Sequence, residues 1–481
     1  MTERTRLCAG LAALAVVLRA PTFVSRLFNP DEAAIGVQAM VVRAGGTLYT
    51  DIFDRKPPLP PMLYAASFSL TDSTDVRLVR VLVTILLACC GVLVALDARR
   101  RSGMTAAWWP GVLMIAGAMA LFPADAGAAN YAQFALLPGT AAILFSRRGT
   151  LPSAIAAGFA IGLAILSRQS WLLGVVPGAA SVGMHGRWRN VAPFLVAAAL
   201  TIATTGFYAP VGRYWEWNVT NTPRFVFAGT NLGTAAVNGL ASIAGFVAFH
   251  PVVMVAAGSS AAAAVTIIRS KKVPTDLDLW LWVVTGLAAW AAGLRFFGHY
   301  WLQVLPALVL LAAPIVARWS DRARRLAIAG IAVPAAVAWA LLFVPGSIHD
   351  RPDPSHLASF VREHTTADDR VFIWGSYPEL LVAAERLPAG GLVHTDFVVG
   401  RSGGRNDPAA SLADALPEAR SIMLDSLERT PPRLIMDTST SPRLGYGRFP
   451  ITLIPELDRF IHAGYEQVAV VDDVTVWMKR P

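Results

Sequence analysis

Two short polar stretches interrupt an otherwise apolar N-terminal region: residues 29–32 read Asn-Pro-Asp-Glu, and residues 51–59 read Asp-Ile-Phe-Asp-Arg-Lys-Pro-Pro-Leu. They lie between the first long apolar run, residues 7–24, and the second, residues 77–97. Charge at a membrane boundary is costly to bury, so it is usually kept for function. The acids and the adjacent basic pair therefore indicate a reaction site at the membrane surface.

The composition is typical of a multi-pass membrane protein. Of the 481 residues, 55% are hydrophobic and 15% are charged, and the mean hydropathy is +0.51. Soluble domains carry about 25% charged residues. The net charge of +9 comes from basic residues in short loops between apolar runs, which is the pattern that orients membrane proteins. We therefore predict membrane lipids as partners and exclude nucleic acid.

Eleven apolar runs are predicted to form membrane spans. Two of them, residues 153–167 and 171–184, are short, and the alternative is that together they form one broken helix. The basic clusters, among them Arg99 to Arg101, favour eleven, because only that count places them all on one side. This side is predicted to be cytoplasmic, with the N-terminus, and the C-terminus is predicted to be external. The predicted spans are residues 7–24, 77–97, 104–122, 131–146, 153–167, 171–184, 191–209, 241–268, 279–295, 300–317 and 326–343.

The predicted fold class is therefore a polytopic α-helical membrane protein with a small C-terminal α/β domain. The transmembrane domain is assigned to residues 1–344 and the extracytoplasmic domain to residues 345–481, where charge becomes frequent. The first outer loop, residues 25–76, is long enough to hold the catalytic site. Within it, residues 59–70 are apolar but too short to span, so we predict a helix that lies in the outer interface or re-enters the membrane.

The C-terminal domain shows short strand patterns separated by helical ones. Residues 370–374 and 433–437 predict buried strands, residues 453–462 an amphipathic helix, and residues 467–479 a hairpin that turns at Asp472-Asp473. Residues 401–408 (Arg-Ser-Gly-Gly-Arg-Asn-Asp-Pro) predict a mobile loop.

Asp31 and Glu32 have two interpretations. Asn29 suits a helix N-cap, Pro30 the first helical position, and acids in the first turn complement the helix dipole, so the local pattern is explained without function. Alternatively, a carboxylate at the membrane boundary acts as the general base that takes a proton from an acceptor hydroxyl. Adjacent helical residues point in different directions. We therefore predict Asp31 as the base and Glu32 as its orienting partner.

Arg55 and Lys56 form a basic pair on the predicted outer side, against the usual bias of basic residues towards the cytoplasm. Pro57-Pro58 stiffens the backbone and would hold Lys56 in a fixed direction, which suits a phosphate group. The alternative is that both long side chains reach along the interface to water. Arg77 and Arg80 lie on one helix face and either join this phosphate site or anchor the helix to anionic lipid.

Three further acids, Asp51, Asp54 and Asp125, lie on the predicted outer side. Each can serve as a second carboxylate, bind sugar hydroxyls or pair with an arginine. Asp125 is nearest to the membrane, at the end of the third span. Asp125 is a candidate for the second catalytic carboxylate and Asp54 a candidate for binding substrate, and at this point the other two roles stay open for each.

The turn that precedes the tenth span, residues 295–301, reads Arg-Phe-Phe-Gly-His-Tyr-Trp. Arg295 is a candidate for binding phosphate, and His299 and Tyr300 are candidates for binding or stacking on a sugar. The alternative is an aromatic belt with one basic anchor. The sequence has no P-loop, dinucleotide fingerprint or metal-ligand cluster. A nucleotide sugar therefore has no predicted site, and we expect a donor that is already bound to the membrane.

These features together resemble the GT-C glycosyltransferases, specifically the protein O-mannosyltransferase and aminoarabinose-transferase-like group (glycosyltransferase family 39). The resemblance covers most of the chain. The resembling features are Asp31-Glu32 after the first span, Asp54 to Leu59 with its Lys-Pro-Pro, the arginines that open the second span, the Arg168-Gln169 break, His299-Tyr300 before Leu302 to Pro306, and Asp369 to Ser376 in the outer domain.

The resemblance implies a polyprenyl-phosphate sugar as donor and a direct displacement that inverts the anomeric carbon. Asp31 matches the group's catalytic carboxylate, and Lys56 matches its residue near the donor phosphate. Gln133 stands where relatives often carry an acid, which leaves Asp125 as the partner. Members of the group differ in metal use and this chain shows no ligand cluster, so we predict no metal and no other cofactor, with a divalent ion as the alternative.

Two other functions remain as alternatives: a transporter or flippase of a lipid-linked or anionic substrate, and a non-catalytic scaffold. Transporters often place charge at the bilayer midplane within internal repeats, whereas here the charge collects at one face and no repeat is visible. A scaffold would keep its function when Asp31 is replaced by Asn. The acceptor, whether protein, lipid or glycan, is not specified by the sequence.

Overall fold

The chain forms two compact units in the computed structural model. The first unit comprises Met1–Arg26, Arg77–Thr204 and Ala235–Ile348, and the second comprises Leu27–Val76, Thr205–Thr234 and His349–Pro481. Residues 25–28 of the predicted outer loop and residues 402–408 of the predicted mobile loop lie outside the described residues. The structure describes residues 2–24, 29–103, 107–227, 230–341, 343–344, 352–401 and 411–481.

The first unit is entirely helical in its described part. Its 3₁₀ segments are Ala20–Phe23, Gln169–Gly174, Trp188–Asn190 and Gly298–Gln303. Its α-helices are Glu3–Arg19, Arg77–Ser102, Trp108–Met119, Pro123–Gly127, Tyr131–Ser146, Leu151–Ser167, Val175–His185, Val191–Ala203, Leu232–Phe249 (from Ala235 on), Pro251–Arg269, Leu277–Ala291, Leu305–Ala317 and Asp321–Leu341.

Six of the described helical segments are long and apolar enough to cross a membrane, and five apolar helices are shorter. Nine of the eleven predicted spans each coincide with one of these helices, and the predicted span 241–268 covers two of them. The exception is the predicted span 171–184, which is a 3₁₀ segment followed by the short helix Val175–His185. It is separate from Leu151–Ser167, because Arg168 between them has an extended backbone.

The prediction that residues 241–268 form one continuous helix was wrong. The structure has two, Leu232–Phe249 and Pro251–Arg269, joined at His250. Proline lacks the backbone N–H that an uninterrupted helix needs at that point. The hydrogen bonds from the His250 amide to the Phe246 carbonyl (2.9 Å) and from the Met254 amide to the His250 carbonyl (3.0 Å) flank the break.

A buried ion network joins three helices of the first unit. Asp278 is fully buried and accepts hydrogen bonds from Arg147 Nη1 (2.5 Å) and Ser181 Oγ (2.5 Å). His185 Nε2 lies 3.1 Å from the same carboxylate, and Arg147 Nη2 also donates to Asp276 at 2.7 Å. The partners of Asp278 come from two other helices: Arg147 follows Tyr131–Ser146, and Ser181 and His185 belong to Val175–His185. The network therefore fixes the three helices relative to one another.

The second unit combines the polar N-terminal stretches with the C-terminal part of the chain. The predicted domain boundary near residue 345 stays a prediction. The second unit contains residues 27–76 and 205–234 in addition to the C-terminal residues. Its α-helices are Pro30–Arg43, Leu59–Thr71, Val211–Trp215, Asn221–Phe227, Ser355–His364, Pro378–Ala384, Asp396–Val399, Ala419–Arg429 and Pro455–Gly464, with a π-helical turn at Glu216–Thr220.

A four-stranded sheet organises the C-terminal part of this unit. The strands are β1 (Val371–Trp374), β2 (Leu434–Asp437), β3 (Tyr465–Val471) and β4 (Val474–Lys479), in the order β1-β2-β4-β3. β1 and β2 are parallel, and the other pairs are antiparallel. The predicted hairpin is confirmed. Its turn residues, Asp472 and Asp473, have φ of 51° and 63°, as a tight two-residue turn requires.

The N-terminal stretches are attached to this part of the chain by backbone pairing. The amide of Phe53 donates to the carbonyl of Gly391 (2.8 Å), and the amide of Val393 donates to the carbonyl of Phe53 (3.2 Å). Thr74 Oγ1 also donates to the carbonyl of Val382 at 3.2 Å. The residue just before Asp54, Phe53, is therefore held by residues from the C-terminal part of the chain.

Candidate functional site

Asp31 and Lys56 come together in the second unit. Lys56 Nζ lies 3.9 Å from Asp31 Oδ1, and their side chains are 19% and 37% exposed. A charge-assisted hydrogen bond is about 2.7–2.9 Å long. The two groups therefore form an ion pair without a direct hydrogen bond between them. Both side chains remain partly accessible to a ligand.

The helix Pro30–Arg43 positions Asp31, as the sequence predicts. The side chain of Asn29 accepts a hydrogen bond from the Glu32 amide (2.9 Å), which caps the helix, and Pro30 occupies its first turn. Asp31 therefore lies in the first turn, at the positive end of the helix dipole. Glu32 is fully buried. The two adjacent acids thus lie in different environments, the partly exposed one being Asp31.

Tyr49 positions Lys56, and the sequence analysis missed this residue. Its hydroxyl donates a hydrogen bond of 2.6 Å to the backbone carbonyl of Lys56. Burial raises the pKa of Tyr49 well above its ordinary value, so the hydroxyl keeps the proton that it donates. Tyr49 also has φ of 62°, a left-handed conformation that is uncommon for a bulky residue and recurs at functional sites.

Asp54 and Arg55 lie on the same loop but have different surroundings. Asp54 is buried, and its oxygens accept hydrogen bonds from Gln38 Nε2 (3.0 Å) and from the Arg55 amide (2.7 Å), so it ties the loop to the first helix of the unit. The guanidinium of Arg55 lies 5.1 Å from the ring centroid of Phe225. Phe225 in turn packs on Phe397 at 4.7 Å. Arg55 is therefore held beside an aromatic cluster.

Asp125, His299 and Tyr300 come together in the first unit. Asp125 Oδ1 is hydrogen-bonded to His299 Nδ1, and Asp125 Oδ2 accepts a bond of 3.1 Å from the Gly298 amide. Tyr300 packs edge-on against the imidazole at 4.8 Å. The guanidinium of Arg168 lies 4.1 Å from the ring centroid of Tyr300. The order of these residues in the sequence gave no signal that Asp125 pairs with His299.

The remaining predicted phosphate-binding arginines belong to the first unit. Arg80 is fully buried, and its Nη1 donates to the Thr22 carbonyl at 2.7 Å, which is a structural contact. Arg77 is exposed and Arg295 is buried. Arg19 was missed by the sequence analysis, although it is a fully buried arginine at the end of the first helix.

Metal ligands form no cluster within the described ranges: no group of three or more His, Cys, Asp or Glu side chains there is placed to hold an ion. The absence of a metal and of other cofactors stays a prediction.

The comparisons with known proteins give matches only among solved structures; no protein-family model and no curated protein matches. ArnT from Cupriavidus metallidurans bound to undecaprenyl phosphate superposes with a TM-score of 0.63 and 15% identity over 98% of this chain and 97% of that chain. Its apo state gives a TM-score of 0.59 at 15% identity, over 99% and 98%. The archaeal oligosaccharyltransferase AglB from Archaeoglobus fulgidus, in complex with an inhibitory peptide and a dolichol-phosphate, gives 0.56 at 13% identity, over 99% and 74%.

These likenesses confirm the predicted fold class. The chain shares the fold of ArnT and AglB, and its described part combines apolar helices long enough to cross a membrane with a small C-terminal sheet. At identities of 13–15% the shared property is the fold.

Proposed function

We propose that this protein is an integral-membrane glycosyltransferase that moves a sugar from a polyprenyl-phosphate donor to an acceptor hydroxyl, with inversion at the anomeric carbon. The observation that carries the proposal is the Asp31–Lys56 pair, a partly exposed carboxylate and ammonium held 3.9 Å apart in a chain with the GT-C fold. The donor class is supported by the undecaprenyl phosphate bound to ArnT and the dolichol-phosphate bound to AglB.

Asp31 acts as the general base in this proposal. Its carboxylate takes the proton of the acceptor hydroxyl while that oxygen attacks the anomeric carbon of the sugar. The carbon–oxygen bond to the phosphate breaks, and its electron pair stays on the phosphate oxygen. Glu32, buried next to Asp31 in the first helical turn, is proposed to orient Asp31 rather than to meet the substrate.

Lys56 stabilises the phosphate that leaves. The departing polyprenyl phosphate gains a negative charge as the bond breaks, and an ammonium fixed close to it lowers the energy of that state. Arg55 is proposed as a further cation for the donor phosphate and Asp54 as a support of the loop, while phosphate binding by Arg77 and Arg295 stays a prediction from the sequence. Arg80 is assigned to packing, because its guanidinium is buried and bound to the Thr22 carbonyl.

The reaction is proposed to take place on the extracytoplasmic side, with the N-terminus cytoplasmic and the C-terminal sheet external. The acceptor hydroxyl belongs to a protein, a lipid or a glycan. The proposed chemistry requires no metal and no other cofactor, since proton transfer and charge stabilisation are both assigned to side chains.

The test is transfer by the purified protein in lipid nanodiscs from a panel of polyprenyl-phosphate sugars, radiolabelled in the sugar, to acceptor hydroxyls supplied as a membrane extract. Transfer is measured as label that moves from the donor lipid to the extract. Asp31→Asn is expected to lower the rate by about 10²–10⁴-fold, the usual contribution of a general base. Asp51→Asn is the matched control, because Asp51 is an exposed acid of the same loop whose carboxylate accepts a bond from the Thr47 amide. Unchanged transfer by Asp31→Asn, or movement of the lipid between leaflets without transfer, would overturn the proposal.

A further inference from the structure

Three arginines line a small cavity at one end of the first unit. The cavity has a volume of about 110 Å³, and Arg4, Arg100 and Arg148 are among the residues that line it. Arg4 belongs to the first turn of its helix, Arg100 to the last turn of its helix, and Arg148 lies just beyond the end of its helix. Three helix ends therefore meet around one space, on the side that the sequence predicts to be cytoplasmic.

The charge of this cavity is not neutralised by the residues that the structure describes. Arg101, which follows Arg100, pairs with Asp97, and Arg147, which precedes Arg148, pairs with two carboxylates. Within the described ranges, by contrast, none of the three cavity arginines forms an ion pair with an acid. Asp97 also lines the cavity, but its carboxylate is bound by Arg101. The cavity therefore keeps an excess of positive charge.

The helix dipoles do not account for this arrangement. A helix C-terminus favours a nearby cation, which suits Arg100 and Arg148. Arg4 lies instead at a helix N-terminus, the positive end of the dipole, where a cation is disfavoured. Glu3 of the same turn does not line the cavity. Three like charges around one space repel one another, and an anion between them replaces this repulsion by attraction.

An apolar wall extends the cavity along two of the helices. Leu93 and Leu96 lie seven and four residues before Arg100, and Leu144 lies four residues before Arg148. Residues at such spacings share one face of a helix. The leucines are further from the helix ends than the arginines, and hence deeper in the predicted bilayer. A free phosphate gains nothing from this wall, whereas a phospholipid places its phosphate at the interface and its acyl chains beside apolar side chains.

We propose that this cavity binds the phosphate of an anionic phospholipid, a role outside the proposed transfer reaction. Its three arginines donate hydrogen bonds to the phosphate oxygens, and an acyl chain lies along its three leucines. Basic pockets between transmembrane helices bind anionic headgroups in other membrane proteins. The headgroup carries no amine, because an ammonium would be repelled by the guanidinium groups. The volume of about 110 Å³ is well below the roughly 300–1,000 Å³ of pockets for drug-sized ligands, which excludes a nucleotide.

The test is lipid binding by the purified full-length protein in detergent, measured by native mass spectrometry. The probes are phosphatidylglycerol, which is anionic, and phosphatidylcholine with the same acyl chains, which carries an ammonium. Wild type is expected to bind the first molecule of phosphatidylglycerol about tenfold more tightly than the first molecule of phosphatidylcholine. Glycerol phosphate, which has the phosphate without the acyl chains, is expected to leave phosphatidylglycerol bound.

Arg100→Gln and Arg148→Gln should each weaken the binding of phosphatidylglycerol about fivefold, because an arginine near an anionic lipid contributes about that factor. Arg148→Lys keeps the charge without the planar fork of the guanidinium, so it should lose less. Arg269→Gln is the matched control and should change neither affinity. Arg269 is an exposed arginine in the last turn of its helix, on the same predicted side, and it does not line the cavity. Thermal unfolding without added lipid separates loss of binding from loss of fold.

Three outcomes would overturn the inference. Equal affinities of wild type for the two lipids would show that the cavity does not select an anionic headgroup. Equal weakening by Arg100→Gln and Arg269→Gln would assign the preference to the general positive charge of this side. Displacement of phosphatidylglycerol by an equal concentration of glycerol phosphate would assign the cavity to a soluble phosphate. If one variant does not fold, the other cavity arginine and the preference of wild type still decide between these outcomes.

Discussion

The Asp31–Lys56 pair of the second unit is loose and partly exposed, whereas the Asp278–Arg147 pair of the first unit is tight and buried. The first has an N–O distance of 3.9 Å, and the second has 2.5 Å with further bonds to Asp278 from Ser181 and His185. A buried charge must have its hydrogen bonds satisfied by the protein. A charge that receives a ligand must instead keep some capacity to bind. The comparison therefore distinguishes the Asp278–Arg147 pair, which holds the fold, from the Asp31–Lys56 pair, which is suited to a substrate.

The largest expected effect on the fold comes from Arg147→Met, which leaves the Asp278 carboxylate buried without its guanidinium. Removing one partner of a buried ion pair costs about 3–5 kcal/mol of unfolding free energy. The measurement is unfolding by heat or denaturant in detergent. The control is Arg213→Met, since Arg213 is half-exposed with Glu216 and Glu418 at 3.0 Å and should lose less than about 1 kcal/mol. Equal losses for the two variants would contradict the comparison.

Lys56→Met should lower activity strongly and change the free energy of unfolding little. The ammonium of Lys56 lies 3.9 Å from Asp31 and its side chain is partly exposed, so the free energy of unfolding should change by less than about 1 kcal/mol. Loss of a charged contact to the donor phosphate costs about 1.5–3 kcal/mol, which lowers kcat/KM by about 10–150-fold. Lys56→Arg should recover part of this loss, because the charge returns with a different geometry. A variant that unfolds easily but transfers sugar normally would show that Lys56 serves the fold.

Tyr49→Phe should have the smallest effect of the three. It keeps the buried ring and removes the hydroxyl that donates to the Lys56 carbonyl, a loss of about 0.5–1.5 kcal/mol. If Tyr49 positions Lys56, kcat/KM for the donor should fall by about two- to tenfold. Tyr465→Phe is the matched control, because that hydroxyl donates to the Pro432 carbonyl at 2.9 Å. It should cost similar unfolding free energy and leave kcat/KM unchanged; a fall in both variants would assign Tyr49 to stability alone.

Local features of the fold were predictable from the sequence. Asn29-Pro30 predicted the start of a helix, which the structure places at Pro30–Arg43 with the expected cap. Residues 472–473 predicted the hairpin turn between β3 and β4. Each of these signals depends on a few consecutive residues whose conformational preferences act locally. The helices formed by the long apolar runs were predictable for the same reason.

Pairings between distant residues were not predictable. Asp278 meets Arg147 and Asp125 meets His299 across more than one helix, and no local preference marks a partner. Arg19 was part of an apolar run and gave no sign that it would bind the carbonyls of Ala126 and Gly127. Tyr49 was missed because its left-handed backbone follows from the loop around it rather than from its own preference.

The backbone pairing of Phe53 with Gly391 and Val393 has a consequence for biosynthesis. Thr74 binds the Val382 carbonyl, which lies 308 residues later in the chain. At about 5–20 residues per second, the ribosome needs about 15–60 s to produce that partner after Thr74 itself. Throughout this interval the segment with Asp31 and Lys56 lacks the contacts that complete it, while the intervening helices are synthesised. A nascent chain released before its last hundred residues would therefore keep every apolar helix and still have an unfinished N-terminal segment.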